Sequence, residues 1–169
     1  MIYDTTAVVS TDFNAAIPSK LGQAKATDTV SDVLYSGDGG VGAWSNVAEV
    51  EGAGGIKGFR CTDNAKGFGN GQLNDPKWKA PAGAELSFKF YCTEPQTLIF
   101  TAGDYSGELE ITASDAWQEM VVPKEKLFNS RNPTASMPNW DNVAGIAFKP
   151  KAGADITKVL FSNFKWNAK

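Results

Sequence analysis

The sequence predicts an all-β protein, two antiparallel sheets packed face to face, and three observations carry that prediction. Apolar residues recur at steps of two in several short segments. No window sustains the i, i+3, i+4, i+7 apolar spacing over three turns, so long helices are not expected. Seventeen glycines and eight prolines supply frequent turns, and no repeat of solenoid or propeller length is present. At 169 residues, 42% of them hydrophobic, the chain can bury a real core, and its length suits a single domain over residues 1–169.

Strands are expected first at 30–35, 43–50 and 55–62. The glycine-rich loop 36–42 between the first two lacks the lysine and following helix of a phosphate-cradling loop and reads as a flexible connection. The segment 86–92 is the clearest strand, because Leu86, Phe88, Phe90 and Cys92 alternate with polar residues and so face one side. Segments 97–102 and 107–112 flank Gly103-Asp104-Tyr105-Ser106, which reads as a hairpin with a four-residue loop and an exposed Tyr105 at its tip. Leu109 and Ile111 point in, and Glu108 and Glu110 out.

Further strands are expected at 117–122, 143–149 and 158–166, about nine in all. The best helical candidate, 123–128, covers about a turn and a half. The predicted core is Phe59, Leu86, Phe88, Phe90, Leu98, Phe100, Leu109, Ile111, Ile146 and Phe148. Two long connections, 62–84 and 123–142, each carry a tryptophan, and loops of that length in compact domains are often functional. Cys61 and Cys92 both fall in strands, which leaves two readings open: a pair of buried thiols, or a cross-strand disulfide.

Charge and composition exclude much chemistry. Sixteen Lys and Arg against nineteen Asp and Glu give a net charge of −3, which is not the basic footprint of a nucleic-acid binder. The absence of histidine removes Ser-His-Asp and Cys-His nucleophiles and imidazole zinc sites. No apolar run reaches the length of a membrane span, so no membrane partner is expected. Residues 1–12 lack the basic and apolar regions of an export signal, and the abrupt stop after Trp166-Asn167-Ala168-Lys169 is what a module cut from a longer protein would show.

The C-terminal half has a distinctive rhythm. Trp117 opens a strand that closes on Pro123; Leu127-Phe128 and Trp140 follow, then Val143 to Phe148, then Val159-Leu160-Phe161-Ser162-Asn163-Phe164-Lys165-Trp166. This resembles the jelly-roll, galactose-binding-like carbohydrate-binding modules of secreted polysaccharide-degrading enzymes, over about the last eighty residues. The resemblance implies a jelly-roll sandwich, a polysaccharide or oligosaccharide ligand, a parent enzyme in cis, and a secreted or cell-surface setting. It also implies packing roles for Trp117, Trp140 and Trp166. Such modules often hold one structural calcium near the first strand and the region before the last. Here Ser162 replaces an acidic residue of the pattern, leaving Asp12 and Asp155 as the best carboxylates, with Asp4 also available.

A sugar site needs aromatic faces for the ring's C–H groups beside side chains that offer fixed donors and acceptors to the hydroxyls. Trp78 in the loop 62–84 and Trp44 are the leading stacking candidates, with Tyr105 third; Trp78 reads equally as a lid over the core edge. Strand parity sends Arg60, Lys89, Tyr91, Glu108, Glu110 and Glu119 outward, so Arg60, Tyr91 and Glu119 are candidate polar contacts if they share a face. A solvated sheet face is the alternative. Two competing classes remain: a sandwich that binds protein, and a glycoside hydrolase or lyase. Hydrolysis needs two facing carboxylates, whereas Glu108 and Glu110 sit two apart on one strand.

Overall fold

A computed structural model describes residues 33–37 and 41–167, all within the unit Ser31–Lys169. Twelve strands run through the described residues: β1 (Val33–Tyr35), β2 (Trp44–Ser45), β3 (Val47–Glu51), β4 (Lys57–Cys61), β5 (Phe68–Asn70), β6 (Glu85–Tyr91), β7 (Gln96–Ala102), β8 (Tyr105–Ile111), β9 (Gln118–Val121), β10 (Phe128–Asn129), β11 (Ile146–Pro150) and β12 (Leu160–Asn167). Sheet one has the order β9-β6-β12-β4-β3, with β1 also paired to β12; sheet two has the order β10-β8-β7-β11-β5-β2. Every pairing is antiparallel. The expected fold class is the one observed.

The alternation that predicted the strands also fills the core. All ten predicted core residues are buried, and Phe68, Phe161 and Phe164 join them. Phe148 of sheet two lies 4.8 Å from Phe68 and Phe100, 5.6 Å from Phe88 and Phe161, and 5.8 Å from Phe164, which links the two sheets through one aromatic cluster. Trp140 and Trp166 are buried as well, with their rings 5.6 Å apart.

Several boundaries differ from expectation for identifiable reasons. The segment 43–50 is two strands, because Asn46 adopts a left-handed φ of 61° and the chain passes there from sheet two to sheet one. Asn tolerates that conformation, and its Nδ2 donates to Gly67 O at 3.2 Å. The connection 62–84 contains β5, whose central Gly69 hides it from an apolar pattern: a Cβ on Gly69 would lie 2.4 Å from Ile146 O on β11. The hairpin loop has two residues, with φ +60° at Gly103, and Tyr105 pairs with Ala102. Tyr105 is therefore half-buried against the core and not at an exposed tip. Residues 124–126 form a single 3-10 turn in place of a longer helix. Residues 30–32 of the first expected strand lie outside the described residues.

The register settles the cysteine alternatives. Phe59 and Phe90 both pair with Phe161, so Cys61 and Cys92 flank Val159 from the strands on either side of β12. Two strand spacings, about 9.6 Å, exceed the Cα separation that a disulfide spans. Both are free, buried thiols. Burial pushes both above the ordinary thiol range, although hydrogen bonds to Asp63 O and Glu94 O pull the other way. Dithiothreitol should therefore leave the melting temperature unchanged, and a thiol reagent should label the native protein far more slowly than the unfolded one. A reductant-dependent melting shift of several degrees would refute the free-thiol assignment.

Candidate functional site

The candidate residues of the sequence fall in three places. The first is the outer face of sheet one. Leu160 pairs with Tyr91 on one side and Arg60 on the other, and Glu119 pairs with Lys89 one row along. Arg60, Tyr91 and Glu119 thus share a face, which meets the condition under which parity made them candidate contacts. Trp117 joins them with its ring 5.8 Å from Tyr91, while its Nε1 donates to Ala53 O at 2.9 Å. The indole fits where side chains are missing: a Cβ on Gly52 would stand 2.8 Å from Trp117 Cζ2, and one on Gly58 would stand 3.3 Å from Cη2. Trp117 is fastened across this face as a cover.

The second place is a cavity of about 270 Å³ that brings Trp44 and Trp78 together with Gln72, Asp75 and Lys77. Trp44 is 7% exposed and its Nε1 donates to Leu34 O at 3.3 Å, so it is a wall of the cavity and not an open platform. Trp78 is half-buried, packed on the core, and its backbone oxygen accepts from Trp166 Nε1 at 3.0 Å. The Lys77 ammonium rests 4.9 Å from the centre of the Trp78 ring, a cation–π contact.

The third is the β7–β8 turn, with the β10 edge and the outer face of sheet two beside it. Tyr105 lines a cavity of about 290 Å³ with Asp104, Pro138, Asn139, Asn142 and Val143, at the turn between β7 and β8. Beside it, Phe128 is 41% exposed and pairs with Ser106, next to the Asn129–Tyr105 pair. From Phe128 a single row runs across the sheet: Ser106, Thr101, Ala147, Gly69, Ser45. No side chain in that row beyond Phe128 is larger than threonine. Five strand spacings make it about 24 Å long. The next row is Glu108, Ile99 and Lys149, where Glu108 is held by Lys151 at 2.9 Å. Phe128 escaped the sequence reading because nothing in the pattern showed that it lies on an edge strand.

The carboxylates do not converge. Glu108 and Glu110 lie on sheet two, Glu110 accepting from Thr97 Oγ1 at 3.1 Å, and Glu119 is on the opposite side of the sandwich.

Among the described residues no group of three or more Asp, Glu, His or Cys is placed to hold a metal. Asp155 caps the 3-10 turn Ile156–Lys158, its Oδ1 accepting from Thr157 N at 3.0 Å and from Thr157 Oγ1. Asp4 and Asp12 lie outside the described residues. The Thr157 hydroxyl, more than any other group, holds the Asp155 carboxyl below its ordinary value. A lowered folded-state pKa contributes stability above the ordinary carboxylate pKa, about 4, which is lost as pH falls through the lowered value. Thr157→Val should therefore shrink the drop in melting temperature between pH 5 and pH 2; an unchanged drop would show that the bond has no such effect.

The sandwich has the jelly-roll fold of carbohydrate-binding modules. It is similar to the family 11 carbohydrate-binding module from Clostridium thermocellum in complex with a β-1,3-1,4-mixed-linked tetrasaccharide, at 15% identity and a TM-score of 0.51, over 82% of this chain and 95% of that one. The family 11 module of the cellulosomal cellulase Lic26A-Cel5E of the same organism matches with the same identity, TM-score and coverage. The solution structure of CtCBM11 matches at 16% identity and a TM-score of 0.50, over 83% and 96% of the two chains. No family sequence model matches the chain, and no curated protein sequence matches it. No helix among the described residues is long and apolar enough to cross a membrane.

Proposed function

We propose that this chain is a non-catalytic carbohydrate-binding module that keeps an attached, secreted or cell-surface glycan-active enzyme on its polysaccharide. The outer face of sheet two is its binding surface. The observation that supports this reading most is the row of small side chains from Ser106 to Ser45, partly exposed across the sheet, with an exposed Phe128 at its edge. A chain of sugar rings can lie along such a floor. Phe128 offers aromatic surface on that face; Tyr105, of the opposite strand parity, lines the cavity at the β7–β8 turn with Asp104, Asn139 and Asn142, whose planar groups offer donors and acceptors at the end of the floor. The outer face of sheet one is a poorer platform, because Trp117 already covers it.

Scattered carboxylates favour binding over hydrolysis: an acid and base must flank one bond, and Glu119 is separated from Glu108 and Glu110 by the whole sandwich. Affinity electrophoresis through mixed-linked β-glucan, xylan and soluble cellulose derivatives, beside a reducing-sugar assay, tests the proposal. We expect retardation by at least one glycan and no new reducing ends. Free migration through every glycan, or release of reducing ends, would overturn it.

A further inference from the structure

We propose that the cavity between Trp44 and Trp78 is a second sugar subsite, which takes a single neutral pyranose, the terminal or branch residue of a glycan. The inference rests on the glycan-binding reading above, but it concerns a different place: β2 and β10 are opposite edges of sheet two. At about 270 Å³ the cavity suits one ring. Its chemistry is that of a sugar pocket, with indole walls and, in Gln72, Asp75 and Lys77, an amide, a carboxylate and an ammonium to meet hydroxyls. The opposite charges of Asp75 and Lys77 offset each other, which favours a neutral ring over a uronate.

The lining is held in place before any ligand arrives. Trp78 N donates to Asp75 O at 2.8 Å, Lys77 N to Asp75 Oδ1 at 2.9 Å, and Trp78 O accepts from Trp166 Nε1. Asn70 holds two lining residues: it is the ladder partner of Trp44, and its Oδ1 accepts from Gln72 N at 2.9 Å. The Asn70 amide is 1% exposed, and its Nδ2 has no hydrogen-bond partner among the described residues. Asn70 does not itself line the cavity; it acts on it through Trp44 and Gln72. Lys77, resting over the Trp78 ring, has to move aside as a sugar stacks there and is then free to donate to its hydroxyls.

The test is a titration of the 15N-labelled protein with methyl β-glucopyranoside, methyl β-xylopyranoside and methyl β-galactopyranoside, followed at the indole N–H signals of its five tryptophans. At least one glycoside should move the Trp78 and Trp44 signals saturably, and leave Trp140 unmoved. Gln72→Ala, an exposed position that leaves the core intact, should weaken that titration at least fivefold; Trp78→Ala should abolish it. A polysaccharide retained in affinity electrophoresis while no glycoside moves the Trp44 and Trp78 signals would overturn the subsite and leave the binding reading standing. Signals that move while every polysaccharide migrates freely would support the pocket as a monosaccharide site and overturn the polysaccharide-binding reading instead.

Discussion

Phe148→Ala should lower the stability of this protein by about 3–5 kcal/mol, the range for removing a fully buried phenylalanine. Phe148 is 0% exposed, and its neighbours belong to both sheets: Phe100 of β7 on its own sheet, Phe88 of β6 and Phe161 of β12 on the other. Removing the ring leaves a cavity at the contact between the layers, and rings fixed in two hydrogen-bonded sheets cannot close in to fill it. In thermal melts the change should appear as a fall of about 10 °C or more. Phe148→Leu, which keeps most of the volume, should cost much less. If the alanine variant melted within a few degrees of the parent, Phe148 could not be the link between the layers.

Phe128→Ala should weaken binding to a retained polysaccharide about tenfold, and Tyr105→Ala, whose ring lines the cavity at the β7–β8 turn and not the outer floor, should weaken it less. An aromatic face lost from a stacking contact removes roughly 1–1.5 kcal/mol, which is about a factor of ten in affinity. The two differ in what else they do. Phe128 is 41% exposed on a two-residue edge strand, so its loss should hardly move the melting temperature; Tyr105 packs partly on the core and should cost some stability as well. Isothermal titration paired with thermal melts separates these effects. Full affinity in the Phe128→Ala protein would move the binding surface away from sheet two.

The fold was legible wherever alternation was uninterrupted. Leu86 to Cys92 and Leu98 to Ala102 each bury every second side chain, so their period of two shows both strand and facing. Parity sent Arg60, Tyr91 and Glu119 outward, and the pairing of their strands puts them on a common face. It could not reveal where the chain changes sheets, because that turns on one left-handed residue, Asn46, inside an apparently continuous apolar segment. Nor could it find β5, three residues centred on Gly69, because Gly69 and the preceding Gly67 are required by the close approach of β11 and leave only Phe68 as an apolar signal. The aromatic residues of the candidate sites were harder still. Trp44 and Trp78 meet only because β2 lies at a sheet edge against the loop that carries Trp78, a relation set by long-range packing. Trp117 was expected to pack, and it does so on the outer surface of a sheet, over two glycines.

The position of β12 has a consequence for synthesis. The last strand in chain order sits inside sheet one, between β6 and β4, and also pairs with β1. Until residues from 160 onward are made, the described strands of sheet one form two fragments, β9-β6 and β4-β3, whose edges β12 joins, and the apolar floor that Phe161, Phe164 and Trp166 complete is missing. Exposed edges of that kind recruit strands from other chains. Folding must therefore wait for the tunnel to release the β12 segment, and a polypeptide stalled or cleaved just before Leu160 is a substrate for chaperones or aggregation and not a smaller working module.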